Sequence, residues 1–309
     1  MENNTTSSVN RRDFLRTGAG AIALSSVAVP VMRGSSDTKL KRLACNSWPF
    51  RAYFDTPEMH QYRKPEYALL TQPEFPEFLA DHFGIHNVEF LPEHFADTEE
   101  GTIDKVKAGL KKVKSTCCNL MGVDIPGGVF TKGLDREKVV QAANRWVGIA
   151  VALGSPSVTV ALNGQGPADP RVAAENLKPF AEVTQSHGIK LLFHNDSMKT
   201  ESAELLTSVI QQLGRNGTGM CPDFGNFATK SAAYALSQLK MLAPYASNIC
   251  HAKDGIASNG KFYADDFPTS MKVMQNSGFH GIYSLEFEGL EPPIEGVKKL
   301  LTMTEKYMS

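Results

Sequence analysis

Short apolar runs alternate with longer amphipathic stretches along most of the chain, and the alternation can be counted. The runs Leu43–Asn46, Asn87–Leu91, Asn119–Val123, Ser157–Leu162, Lys190–His194, Gly219–Asp223, Asn248–His251 and Ile282–Glu286 are bounded by Gly, Pro, Asn or Asp, and several carry β-branched residues. Those are the marks of strands. Between them, apolar residues recur at helical spacing: Ile103, Val106, Leu110 and Val113; Val139, Ala143, Trp146, Ile149 and Ala150; Ile294, Val297, Leu301 and Thr304. Asp135 and the pair Asp169-Pro170 supply start signals, and Gly84, Gly154, Gly188, Gly214 and Gly278 end helices just before the next strand. Eight strands, each followed by a helix, predict an α/β chain with a closed (β/α)8 TIM barrel over residues 39–309 rather than an open sheet. One connection is long: Arg51–Pro73 follows the first strand, which puts it on the barrel's C-terminal face, where such loops cover sites.

The first 38 residues follow a different pattern. Asn10-Arg11-Arg12-Asp13-Phe14-Leu15-Arg16 is a twin-arginine box, and Thr17–Met32 behind it is uncharged and rich in Ala, Gly, Val and Ser. That stretch is shorter and less apolar than a membrane span of about 20 residues. It reads as a twin-arginine signal peptide with a short linker, recognised by the twin-arginine export machinery. The expected location is periplasmic or exported, with a membrane anchor if the signal is retained. Net charge is −1, and the one cluster of lysines, Lys105 to Lys114, has the spacing of a solvated helix side. A nucleic-acid partner needs a basic patch or stripe, so none is expected. The five cysteines are odd in number, and Cys45, Cys221 and Cys250 fall in strand-like runs. Cys117 and Cys118 read as strand filler, and no structural disulfide is expected.

Barrel enzymes carry their chemistry at the C-terminal ends of strands. There the fifth to eighth strands offer His194, Asp223, His251 and Glu286. Side chains alternate between the faces of a strand. Ser284, Glu286 and Glu288 therefore share one face and Tyr283, Leu285 and Phe287 the other; the bulky apolar face must meet the helices, so Glu286 points at the barrel axis. By the same count Ile249, His251 and Lys253 share a face. Two imidazoles and two carboxylates at one level suit a divalent transition cation such as Mn, Zn, Co or Fe. His187, at a helix end, needs no role beyond capping. Further candidates are Glu89, as an acid facing the site or a floor ion pair, and Lys253, as a substrate-oxygen ligand or a partner of Glu286 or Glu288. His94, Asn163 and Trp48 are candidate substrate contacts, with loop or packing roles as the alternative, and Phe50 pairs with Trp48 in the same reading.

The runs Cys-Pro-Asp223-Phe-Gly-Asn, His251-Ala-Lys253-Asp254 and Ser-Leu-Glu286-Phe-Glu-Gly resemble the xylose isomerase-like TIM barrel superfamily, the sugar phosphate isomerase/epimerase family, over nearly all the chain after residue 40. The resemblance implies a metal-dependent enzyme acting on a small carbohydrate. It also implies a metal held by Glu, Asp, His and Glu at the ends of strands five to eight. Asp223, His251 and Glu286 match the last three; the first departs, with His194 in Gly188-Ile-Lys-Leu-Leu-Phe-His194 where the family has Glu. In the epimerase branch the two glutamates also serve as bases on opposite faces of the substrate, and an imidazole whose lone pair is given to a metal cannot do so. The expectation moves from epimerisation to enolisation of a keto-sugar with one base: an isomerisation, or a β-elimination or hydration as for 3-keto-glycosides, with the metal as Lewis acid. A non-catalytic metal- or sugar-binding barrel is the alternative. The superfamily's nuclease branch is disfavoured by the lack of a basic groove.

Overall fold

The computed structural model describes residues 38–164, 167–196 and 202–309; the twin-arginine box and the uncharged stretch behind it lie outside the described residues. The strands are β1 (Leu43–Asn46), β2 (Asn87–Phe90), β3 (Thr116–Met121), β4 (Ser157–Ala161), β5 (Lys190–His194), β6 (Thr218–Cys221), β7 (Ile249–Ala252), β8 (Gly255–Ser258), β9 (Lys261–Ala264) and β10 (Ile282–Leu285). Eight of them form one parallel sheet in the order β6-β5-β4-β3-β2-β1-β10-β7. The two end strands meet through single parallel bridges, Met220 with Ala246 and Asp223 with His251. The sheet thus closes into a TIM barrel, and its seam runs through two of the proposed ligands.

Helices α1 (Phe75–Phe83), α2 (Glu100–Lys112), α3 (Arg136–Leu153), α4 (Pro170–Ser186), α5 (Ala203–Leu213), α6 (Ala232–Leu242), α7 (Phe267–Asn276) and α8 (Pro293–Tyr307) alternate with the barrel strands. Asp135 starts α3 by accepting from the Glu137 amide, and Asp169 starts α4 by accepting from the Arg171 amide. Gly154 ends α3 at φ 72°, a left-handed conformation that residues with a Cβ resist. His187 caps α4, with Nδ1 3.0 Å from the Val183 carbonyl.

Strand alternation sorts the residues as the sequence pattern predicts. Leu43, Cys45, Val88, Phe90, Leu191, Phe193, Tyr283 and Leu285 join the large core that the helices cover. Ala44, Cys118, Leu192, Cys221 and Ile249 form a small separate cluster inside the barrel. One period further along each strand the interior turns polar, with Glu89, Asn119, Thr159, His194, His251 and Ser284 all buried. The apolar floor excludes water from below, so charges placed above it interact in a medium of low polarity. All five cysteines are buried free thiols.

Two elements differ from the sequence reading. β3 begins at Thr116 rather than Asn119, and its register with β2 slips between Val88 and Glu89. Cys118 is the extra residue of a β-bulge, which lets both Cys118 and Asn119 point inward. The second is the β8–β9 hairpin after β7, turned by Asn259 and Gly260 at φ 53° and 71°. Two successive positive φ values are the signature of the tight turn that Asn-Gly favours. The connection after β1 is closely tied down: the Leu70 amide donates to the Tyr53 carbonyl at 3.0 Å, and Tyr53 stacks on Tyr67 at 4.4 Å.

Candidate metal centre and its cavity

His194 ends β5, His251 lies in β7, and Asp223 and Glu286 follow β6 and β10. Each has one donor atom within 4.8 Å of every other's. His251 Nδ1 is 3.0 Å from His194 Nε2, 3.0 Å from Glu286 Oε2 and 3.7 Å from Asp223 Oδ2; His194 Nε2 is 3.8 Å from the same Asp223 oxygen. Ligands about 2.0–2.3 Å from a shared ion stand roughly 3–4 Å apart, so this spacing fits one. Asp223 supplies a sharper test. Its Oδ1 accepts from the Gly225 and Asn226 amides at 2.8 Å each, while its buried Oδ2 accepts no hydrogen bond. Without a hydrogen bond, that oxygen has only the Lys253 ammonium at 3.2 Å and the two imidazoles around it, a setting that leaves room for a cation ligand. Two nitrogens and two carboxylate oxygens suit Mn, Zn, Co or Fe.

The supporting layer orients the cluster. The other ring nitrogen of His251, Nε2, lies 3.1 Å from Glu89 Oε1, and Glu89 also accepts from Asn119 at 2.7 Å and Ser284 at 2.6 Å. A carboxylate behind a histidine fixes which nitrogen faces a metal. Burial opposes ionisation of Glu89, but His251 and these hydrogen bonds hold its carboxyl below the usual range. Lys253 Nζ lies 2.6 Å from Glu286 Oε1, 2.8 Å from Glu288 Oε2 and 3.2 Å from Asp223 Oδ2, and donates to Asn226 Oδ1 at 2.7 Å. Burial resists charge on both Asp223 and Glu286, yet the Lys253 ammonium keeps both ionised well below the ordinary carboxylate range. Asn46 Nδ2 donates to Glu286 Oε2.

Above the cluster opens a cavity of about 280 Å³ lined by Trp48, Glu93, Asp124, Asn163, Asp196, Asn226, Ile256, Glu286 and Glu288, among others, and by no lysine or arginine among the described residues. Its size is just below the usual range for small-molecule sites, about 300–1,000 Å³. Of the sequence candidates, Trp48, Asn163 and Glu286 line it. Glu89 and Lys253, both fully buried, lie beneath and take the ion-pair alternative. His94 is a correction: it does not reach the cavity, because its ring stacks on Phe54 at 4.4 Å while Nδ1 meets Ser47 Oγ at 2.7 Å and Nε2 faces Met59 Sδ at 3.0 Å. Sequence reasoning missed Glu93, Asp124, Asp196, Asn226 and Glu288 as lining groups. Glu288 was within reach of the parity argument, two residues beyond Glu286. Trp48 Nε1 donates to its Oε1 at 2.6 Å.

The sequence pattern of the xylose isomerase-like TIM barrel matches residues 76–307. No curated protein matches the chain. Among solved structures, a xylose isomerase-like TIM barrel protein from Mycobacterium smegmatis in complex with magnesium superposes with a TM-score of 0.63 at 13% identity, covering 87% of this chain and 98% of that one. The probable 3-DHS dehydratase from Bacillus anthracis gives 0.61 at 13%, over 85% and 98%. The 3-keto-D-glucoside 4-epimerase from E. coli, in its apo form, gives 0.58 at 13%, over 84% and 99%. At such identities the likeness is one of fold.

Proposed function

The chain belongs to the xylose isomerase-like TIM barrel family, and on that premise we propose that it is an exported, divalent-metal-dependent enzyme that enolises an uncharged keto-sugar. The observation that carries the reading is His194 at the end of β5, 3.0 Å from His251 Nδ1 inside the ligand cluster. With imidazole there, Glu286 is the one carboxylate that belongs both to the cluster and to the cavity wall. One base supports removal of a single proton beside a carbonyl, followed by return to the neighbouring carbon (isomerisation) or by loss or gain of an oxygen substituent (β-elimination or hydration).

His194, Asp223, His251 and Glu286 would hold the cation, which supplies Lewis acidity toward a substrate oxygen. Glu286 accepts the proton. Lys253 holds Glu286 Oε1 and Glu288 Oε2 in place, and Glu89 holds His251 so that Nδ1 faces the cluster. Lys253 and Glu89 are positioning residues in this scheme. Trp48 offers a ring face and Asn163 a polar contact to the sugar. The acidic wall, without a described cation, favours a neutral sugar over a phosphorylated one. Two fold relatives carry names of fitting chemistry, a 3-keto-glucoside epimerase and a probable dehydratase, which supports 3-keto-glycosides as the substrate class.

The test is incubation with 3-keto-glucosides in deuterated water, with and without a chelator. Deuterium entering the carbon beside the carbonyl, lost on chelation and restored by Mn or Zn, is expected. A purified protein without stoichiometric metal, indifferent to chelator and inert toward keto-sugars and free ketoses, would leave a non-catalytic sugar-binding barrel as the better description.

A further inference from the structure

Glu93 lies in the single helical turn Pro92–His94 that follows β2, and its side chain lines the cavity together with Glu286 and Asp196. The turn is clamped from several directions. The Glu93 carbonyl accepts from Thr56 Oγ1 at 2.6 Å, the Leu91 carbonyl accepts from Gln72 Nε2 at 3.2 Å, and the next residue, His94, is locked against Phe54 and Ser47. So fixed a backbone anchors Glu93 in the cavity wall. Two other acids of the wall are committed: Glu286 to Lys253, His251 and Asn46, and Glu288 to Lys253 and Trp48. The Glu93 carboxyl accepts a hydrogen bond from its own backbone amide and forms no ion pair with a lysine or arginine among the described residues.

We propose that Glu93 is the acid that protonates the departing oxygen in the elimination, and the base that receives a proton from water in the hydration. This rests on the keto-sugar reading. In a 3-keto-glycoside, Glu286 takes the C2 proton and the C–H electron pair becomes a C1–C2 π bond. The C1–O bond breaks, its pair stays on the aglycone oxygen, and Glu93 gives that oxygen its proton. The products are an alcohol and an enone, with Glu93 ionised and Glu286 protonated. Hydration reverses the transfers: a water oxygen bonds to C1 as Glu93 takes the water proton, and Glu286 returns a proton to C2.

The electrostatics agree with that role. Burial pushes the Glu93 carboxyl up to about 7, and negative charge on Asp196 after β5, Glu58 in the loop after β1 and Glu286 after β10 works in the same direction. The neighbouring His94 adds no positive charge, because burial drives its pKa down to about 3. A general acid works best with a pKa near the working pH.

The experiment compares wild type with Glu93→Gln and Glu93→Asp on 3-keto-glucosides bearing an alkyl or a nitrophenyl aglycone. For E93Q the expected result is a loss on the order of 10²–10⁴-fold with the alkyl aglycone and little loss with the nitrophenyl one, which departs without a proton. Deuterium exchange at C2 persists. Wild-type elimination of the alkyl substrate falls as pH rises through about 7, and this limb vanishes in E93Q, while E93D keeps the limb at a reduced rate. A ¹³C-carboxyl signal titrating near neutrality and absent from E93Q is the parallel readout on the protein alone. Active wild type with an E93Q loss equal for both aglycones and an unchanged pH limb overturns the assignment and leaves the keto-sugar reading standing. Wild type that neither exchanges nor turns over keto-glycosides overturns both.

Discussion

Replacing Lys253 with methionine removes one ammonium from the most densely charged point in the barrel and keeps most of the stem that fills the space. Nζ faces Glu286 at 2.6 Å, Glu288 at 2.8 Å and Asp223 at 3.2 Å, and donates to Asn226 at 2.7 Å. The Lys253 and Asp223 side chains are 0% exposed, Glu286 3% and Glu288 14%, so water cannot take the ammonium's place. Removing one partner of a buried ion pair costs about 3–5 kcal/mol, because the other charge stays behind unpaired. Here three carboxylates share the cation, which argues for the upper part of that range. Against a typical total stability of about 5–15 kcal/mol, this is a large fraction. At roughly 2–4 °C per kcal/mol, the melting temperature of apo K253M falls by something on the order of 10 °C.

The pH dependence of that deficit follows from the direction of the shifts. Asp223 and Glu286 are held below their ordinary values chiefly by Lys253 acting against burial. A depressed carboxyl contributes stability that is present above its unfolded pKa, about 4, and is lost as pH falls toward the folded value. The gap between wild type and K253M should stay level from pH 8 to about 5 and narrow only below about 4. Saturating Mn should narrow it at neutral pH, because the ion brings positive charge to the same carboxylates. Paired thermal and urea melts across pH measure all of this. A Tm within about 2 °C of wild type at pH 7, or a gap that widens on acidification, would refute the reasoning.

Other outcomes follow from the same geometry. A Cβ at Gly225 would meet Lys253 Cδ at 2.8 Å, Lys253 Cγ at 2.9 Å and the Gly255 carbonyl carbon at 3.2 Å. The lysine cannot swing aside without losing its acceptors, so Gly225→Ala should cost about 1–3 kcal/mol in a urea melt; a neutral result would show that the stem yields. A divalent ion at 100 times its Kd should stabilise wild type by about 2.7 kcal/mol. Asp223→Asn keeps an oxygen for the Gly225 and Asn226 amides but loses the charge, and should abolish both that gain and the metal found by elemental analysis. Equal thermal gains in the two proteins would place the ion elsewhere.

Where the chain is periodic, the sequence was sufficient. Barrel strands repeat every two residues and their ends fall at one level, so His251, Ser284 and Glu286 followed from counting and His194 from its place at a strand end. A bulge breaks that period without a compositional mark, which is why β3 was placed three residues late. The hairpin β8–β9 had its signal in Asn259-Gly260, between the apolar pairs Ile256-Ala257 and Phe262-Tyr263. Loops have no period. His94 and Glu93 are neighbours in one turn after β2, and which of them faces the cavity depends on Phe54 and Met59, about 40 residues earlier, filling the space around the His94 ring.

The histidine at the end of β5 sets a requirement that the other strand ends do not meet. Of the cluster's two carboxylates, Asp223 Oδ1 is spent on backbone amides and Glu286 is held by Lys253 and Asn46. A reaction that needs a second proton-transfer group must therefore take it from outside the ring of ligands. It must also be a group that no lysine keeps ionised, since an acid paired with an ammonium gives up its proton far below neutral pH. Glu93 meets both conditions because it stands on a loop: the turn after β2 sets it, half-buried, in the cavity wall, within the electrostatic reach of Asp196, Glu58 and Glu286. If the keto-sugar reading holds, metal binding stays with the strand ends while proton delivery has moved to the loop above them. The two functions then become separable by mutation, with Asp223→Asn removing the metal and Glu93→Gln leaving it in place.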